Sequence, residues 1–409
     1  MNPGASGSHV LRRLNTATVL DAVRVAAPQP LRISELATRT GLARPTVAQA
    51  VEDLVEDGWL SQHSAPSTAR GVGRPAARFS LASTAAPVAG VDVGARSVAV
   101  AVADLTGKQL SLVRHTGRPS EAPQILRIIE SVLHQALDQA HVQAGQVAAV
   151  TVGSPGLVDA GGDTITLAPG VPGWSSVHLV EHLRTLVECD VRLENDANLA
   201  ALGISATREQ PQTLLAVQWG ERIGSGLIIE GRLHRGRSGA AGEIGFVTPS
   251  GQRRRLDADQ KGPLEVLIGA EGIAERASRA AADHPTSELA RRLSGAENGA
   301  RAAALFEAAA AGDEVAAAVV NDVAEIFACA IAPVVLAIDP DAVVIGGGIA
   351  RAGKQLPDAI ERHLKELTLT TPSVELSPLA QDSVVTGALQ VALADVWAGL
   401  LPDHVRRLL

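Results

Sequence analysis

Two glycine-rich turns in this 409-residue chain have the shape of phosphate-binding loops. Asp92-Val93-Gly94-Ala95-Arg96 follows one apolar run and Gly220-Glu221-Arg222-Ile223-Gly224-Ser225-Gly226 follows another. A loop that cradles phosphates offers open backbone N–H groups and small side chains, since a bulky or acidic side chain intrudes where the anion must sit. Glu221 sets a carboxylate against that position, and Arg96 and Arg222 add bulk beside it, so the turns are expected to keep the shape of an anion site without its use. A different chemistry is carried by Arg44, Pro45, Thr46 and Gln49, the polar first turn of a helical pattern. Arg, Thr and Gln reach base edges in a major groove, and Pro45 is tolerated where first-turn N–H groups lack helical partners. Arg70 and Arg74, in Arg70-Gly71-Val72-Gly73-Arg74-Pro75, suit phosphate or a minor groove.

The elements that must position the head's polar residues lie within residues 1–82. His9 to Ala26 reads as a helix with Val10, Leu11, Leu14, Val19, Leu20 and Val23 recurring at helical spacing. A short second helix opens at Ile33-Ser34-Glu35, with Ser34 as the expected cap and Glu35 suiting the dipole, and stops at Gly41. The third, Arg44 to Asp57, places Val47, Val51, Leu54 and Val55 on one face, while Glu52, Asp53, Glu56 and Asp57 crowd its far end. Two helices joined by a tight turn, the second with a polar leading end, make a helix-turn-helix. Strands at Trp59-Leu60-Ser61 and Ala77 to Leu81 around the basic loop complete a winged helix.

Charge divides in the same way. Through Leu81 there are nine arginines, no lysine and six acids, so this stretch carries +3 and the remainder −11 of a net −8. A basic head on an acidic body suits a protein whose head alone approaches a polyanion. Tyrosine is absent and aromatics make up 2%, which argues against recognition by aromatic stacking on single strands. Cys189 and Cys329 have neither disulfide-framework nor zinc spacing. No apolar stretch reaches the roughly 20 residues of a membrane span. A cytoplasmic protein without membrane contact is expected.

After the linker 83–87, strands at Val88–Val93, Ser97–Asp104 and Gln109–His115 precede a helix near Gln124–Gln143 and a strand at Val147–Val152. A second round begins at Thr213–Val217, continues through Gly226–Leu233 and reaches Ala342–Ile345 before Gly346-Gly347-Gly348. This order predicts an α/β body of two similar lobes with a cleft between them, at 88–198 and 199–383, the C-terminal helix 384–409 completing the first lobe.

Four segments, Val152-Gly153-Ser154-Pro155-Gly156-Leu157-Val158-Asp159, Glu194-Asn195-Asp196-Ala197-Asn198, Gly239-Ala240-Ala241-Gly242-Glu243-Ile244-Gly245 and Val344-Ile345-Gly346-Gly347-Gly348, resemble in order and spacing the ROK family of repressors, open reading frames and kinases. The resemblance implies a two-lobed actin-like (ribonuclease H-like) ATPase and sugar-kinase fold behind the winged helix, the arrangement of the family's repressor branch. It implies that Asp196 stands where the kinases hold the base that takes a proton from the attacking sugar hydroxyl, and that Asn195, Glu243 and Glu265 contact sugar hydroxyls. Two departures stand out. Phe246 replaces the usual histidine after Glu-x-Gly, and Gln252-Arg253-Arg254-Arg255-Leu256-Asp257-Ala258-Asp259 replaces the zinc-binding cysteine run, so neither a structural zinc nor any cofactor is expected. The expectation is a transcription regulator, most simply a repressor and not an enzyme, with double-stranded operator DNA and a sugar-like effector as partners, working as a homodimer or homotetramer. The alternatives are an ATP-dependent sugar kinase and a DNA-binding protein with a ligand-free dimerisation body. Asp196 can also act simply as a helix cap.

Overall fold

A computed structural model describes residues 3–63, 77–94, 97–117, 121–159, 161–168, 173–249, 261–297 and 300–400. The head is built from α1 (Pro3–Ala26), β1 (Leu31–Arg32), α2 (Ile33–Thr40), α3 (Arg44–Glu56), β2 (Leu60–His63) and β3 (Arg78–Leu81). Its antiparallel sheet runs β1-β3-β2, with Leu60 opposite Leu81 and Leu31 opposite Phe79. The β1 strand, two residues long, gave no period for sequence reading to detect. Val47, Ala50, Val51 and Leu54 of α3 are buried on Val19, Leu20, Val23 and Leu36, which leaves the polar leading turn outside. The helix α2 is not capped by Ser34: its N-cap is Arg32, whose backbone N–H donates to Glu35 Oε2 at 2.7 Å. A carboxylate in the first turn meets both the orphan N–H and the helix dipole, which makes the serine unnecessary.

The first body sheet holds β4 (Val88–Val93), β5 (Ser97–Ala103), β6 (Gln109–Thr116), β7 (Ala149–Ser154) and β10 (Asp190–Asn195), in the order β10-β7-β4-β5-β6. Helices α4 (Ala122–Ala140) and α5 (Leu179–Arg184) and the hairpin β8 (Leu157–Val158) with β9 (Ile165–Leu167) fill its connections. Then α6 (Asp196–Ser205) leads to the second sheet: β11 (Leu214–Trp219), β12 (Ile223–Ile229), β13 (Arg232–His234), β14 (Ala342–Gly346) and β15 (Ser373–Leu376). Its order is β13-β12-β11-β14-β15. Around it are α7 (Pro263–Ile268), α8 (Ala270–Asp283), α9 (Glu288–Ser294), α10 (Arg301–Ala310), α11 (Glu314–Ile338) and α12 (Gln355–Leu367), before the last helix, α13 (Ser383–Leu400). In both sheets three parallel strands are followed by two antiparallel ones, so the second repeats the first. The run expected as one strand over Gly226–Leu233 is divided by a turn at Glu230 (φ 50°) and Gly231 (φ 78°) into β12 and β13.

In β5 every residue from Val98 to Ala103 is buried, because both faces of the sheet are covered. Val98, Val100 and Val102 join the core beneath α4, whereas Ala101 and Ala103 join the one containing Val385, Leu389, Ala392 and Leu393 of α13. The small residues leave room for a helix to lie close. The closest approach is between α6 and α13, where a Cβ on Gly387 would stand 1.8 Å from Leu199 O, so only glycine permits this crossing. The α13 core runs without a break into the head: Phe79, Leu81, Val88, Leu105, Leu389 and Trp397 belong to one cluster, and the Arg24 guanidinium lies 5.4 Å from the centroid of the Trp397 ring.

The expectation about membrane-length apolar stretches is corrected. Glu314–Ile338 and Ala380–Leu400 are long and apolar enough to cross a membrane, although about half of each window, 56% and 50%, is buried inside the fold. In α11 that apolarity is the second lobe's core, with Val323, Phe327 and Ile331 fully enclosed.

Candidate functional site

Between the two sheets lies a cleft of about 970 Å3 that Asn195, Asp196, Glu243, Phe246 and Glu265 all line, together with both glycine turns. Asn195 ends β10 and caps α6: its Oδ1 accepts the Asn198 N–H at 3.0 Å and its Nδ2 donates to Gly156 O at 2.9 Å. The cap is therefore Asn195, and Asp196 is freed from that duty apart from a contact with the Ala197 N–H at 2.8 Å. Burial drives the Asp196 carboxyl up to about 6 despite that hydrogen bond.

Glu243 owes its place to Gly242, whose φ of 94° and close approach admit no side chain: a Cβ there would fall 1.9 Å from Ser225 O. The loop is pinned on β12 because the Ser225 N–H and Oγ both donate to Gly242 O at 2.9 Å. Glu243 is thereby carried into the cleft, where burial and the charges of Asp196 and Glu265 push its carboxyl up to about 7. Glu265 is 5% exposed and already well occupied. Its Oε1 accepts the Ile223 N–H at 2.9 Å, and its Oε2 accepts the Gly262 N–H at 2.7 Å and Arg222 Nη1 at 3.0 Å. A carboxylate offers about four acceptor positions, so little remains for a sugar hydroxyl. The same pairing ties the Arg222 guanidinium to Glu265, and Arg222 still lines the cleft at the second glycine turn. Glu221 does line the cleft, with Gly347 and Gly348. Arg96 lies outside the described residues.

Several site groups were not singled out from sequence. Asp92 is 7% exposed, and burial and the Asp196 charge push its carboxyl up to about 7 against the pull of Arg114, whose Nη1 stands 4.0 Å away. Arg114 Nη2 donates to Asp382 at 2.7 Å across 268 positions of sequence, a separation that no local spacing encodes. Glu194, 7% exposed, accepts Arg235 Nε and Nη2 at 2.7 Å and joins the end of β10 to the segment beyond β13. Among the described residues no group of three or more His, Cys, Asp or Glu is placed to hold a metal. The segment 250–260, including the Arg253–Arg255 run, lies outside them.

None of the described head residues lines the cleft. Arg44, Pro45 and Gln49 are exposed on the leading turn of α3 and Thr46 is half-buried beside them. Arg70 and Arg74 are outside the described residues.

The ROK family profile matches residues 88–395, and the profile of the IclR helix-turn-helix domain matches residues 14–64. A glucokinase of Thermotoga maritima is 31% identical over 312 residues, covering 74% of this chain and 96% of the relative. A putative xylose repressor of Caldicellulosiruptor sp. (strain Rt8B.4) is 23% identical over 409 residues, 98% of this chain and 100% of the relative. Among solved structures, a ROK family glucokinase from Streptomyces griseus in complex with glucose and AMPPNP is 26% identical with a TM-score of 0.65 and covers 75% of this chain and 99% of its own. A ROK family transcriptional regulator, homolog of the E. coli MLC protein, shares the fold over 95% of this chain and 98% of its own, with a TM-score of 0.75 at 19% identity. Head and body are thus matched independently as well as together, and the chain belongs to the ROK family as one of its DNA-binding transcription regulators.

Proposed function

We propose that this regulator is a repressor that binds a two-fold operator through α3 and senses a carbohydrate or sugar derivative in the cleft, as a homodimer or homotetramer, without catalysing a reaction. The observation that carries the reading is the pairing of an exposed polar leading turn on α3 with a cleft into which Asn195, Asp196 and Glu243 bring groups suited to hydroxyls. Phe246 gives that end of the cleft an apolar wall for a sugar-ring face. The full-length match to a putative xylose repressor supports the regulator, and Glu221 at the second glycine turn supports the loss of phosphoryl transfer. Two-fold symmetry sets recognition helices one turn of DNA apart, about 34 Å. A ligand that closes the cleft needs a coupling of about 1–3 kcal/mol to change operator affinity 5- to 150-fold.

The test is a fluorescence-anisotropy titration on a duplex selected from a random pool, with and without xylose, glucose and N-acetylglucosamine. Arg44→Ala is expected to weaken the selected duplex by about 1–3 kcal/mol and random DNA far less. Equal weakening of both would displace Arg44 from base recognition. A second reading, the sugar kinase, is favoured by one observation: an Asp196 carboxyl near 6 suits a general base. ADP release with the same sugars, abolished in Asp196→Asn, would establish it in place of the repressor.

A further inference from the structure

On α3, Asp53 sits one turn beyond Gln49, and the two side chains touch: Gln49 Nε2 donates to Asp53 Oδ1 at 3.1 Å. Asp53 is in turn gripped from α1 by Arg12, with Nε on Oδ2 at 2.8 Å and Nη2 on Oδ1 at 2.6 Å. This fork holds the Asp53 carboxyl below the usual carboxylate range, so it stays charged and accepts from Gln49 at any pH at which the protein works. The remaining acids of this end, Glu52, Glu56 and Asp57, are exposed.

A primary amide has two N–H donors and one oxygen acceptor. With one N–H committed to Asp53, Gln49 presents one N–H and the oxygen. That pair matches adenine, whose major-groove edge offers an acceptor at N7 and a donor at N6. Guanine offers two acceptors there, N7 and O6, and a freely turning glutamine can give both N–H groups to them. The tethered one cannot.

We propose that Asp53, held by Arg12, is a positioning residue that fixes the Gln49 amide so that this regulator reads adenine, and rejects guanine, at one base pair of each half-site. The proposal rests on the DNA-binding reading above. Asp53 acts through Gln49 and needs no contact with a base.

The experiment selects duplexes from a random pool with the full chain, locates the base pair whose preference vanishes in Gln49→Ala, and titrates A·T and G·C versions of it against wild type and variants. Wild type is expected to prefer A·T by about tenfold. Asp53→Ala should cut that preference by about three- to tenfold, the cost of leaving a long side chain unfixed, while binding random DNA as well as wild type or better. Asp53→Asn, which keeps an oxygen for the amide, should retain the preference. An undiminished preference in Asp53→Ala, or loss in Asp53→Asn as well, would each overturn the proposal. Failure of wild type to enrich any duplex would instead overturn the DNA-binding reading itself.

Discussion

Replacing Asp196 by asparagine should stabilise the protein at alkaline pH and leave it nearly unchanged in acid. Burial raises this carboxyl from 3.8 to about 6. The folded protein keeps its proton until about pH 6, whereas the unfolded chain releases it near pH 4. The folded state binds more protons across that window, so the contribution of Asp196 to stability is fully present below about pH 4 and is lost as the pH rises through 6. Two pKa units correspond to about 3 kcal/mol at 1.36 kcal/mol each, and asparagine avoids that loss because it never ionises. Its Oδ1 can still accept the Ala197 N–H, so the local hydrogen bond survives. For about 400 residues the unfolding entropy makes 1 kcal/mol roughly 1 °C in Tm. Calorimetry of both proteins from pH 4 to pH 8 should show the Tm difference growing by about 3 °C in favour of Asp196→Asn. The same variant removes a charge that raises Asp92 and Glu243, so both should titrate lower. A Tm difference that stays flat or shrinks towards pH 8 would refute the assignment of Asp196 to a desolvated site.

Arg235→Ala strips Oε2 of the buried Glu194 of both arginine donors and should cost about 1–3 kcal/mol, read from the urea midpoint. Gly387→Ala drives a methyl into Leu199 O; the α6–α13 crossing must open, and a loss of about 1–3 kcal/mol or more in urea unfolding is expected. Trp397→Ala empties the junction between head and body and should cost about 3–5 kcal/mol, with trypsin then releasing the head faster than it degrades the body.

The head was legible because its helices alternate clearly between apolar and polar faces, and because Gly41 and Pro45 mark their ends. The two sheets were legible as short apolar runs in a repeating order, but not the turn at Glu230–Gly231, where only local backbone geometry divides one apolar run into two strands. Of the cleft residues, Asn195, Asp196 and Glu243 stand in the quoted motifs and Glu265 was expected from the family resemblance, and the structure brings all four to one cavity. What the motifs did not reveal is how each side chain is occupied. Glu265 spends most of its acceptors on Gly262, Ile223 and Arg222, and Asn195 divides its amide between Asn198 and Gly156. Such bonds depend on backbone groups brought together by the tertiary fold, as does the pairing of Arg114 with Asp382. Residue identity and spacing carry no record of them.

The helix α13 begins at the cleft, where Val384 contributes to the wall, and its far end holds Trp397 beneath Arg24 of the head. The 13 steps of rise from Val384 to Trp397 span about 20 Å at 1.5 Å each. Gly387 seats this rod on α6 with no slack, so it cannot slide independently of the helix that Asn195 and Asp196 begin. The cleft wall is therefore joined to the head by a rigid connection that runs inside the protein and needs no flexible tether: one continuous stack of backbone hydrogen bonds reaches from the wall to the mount of α1.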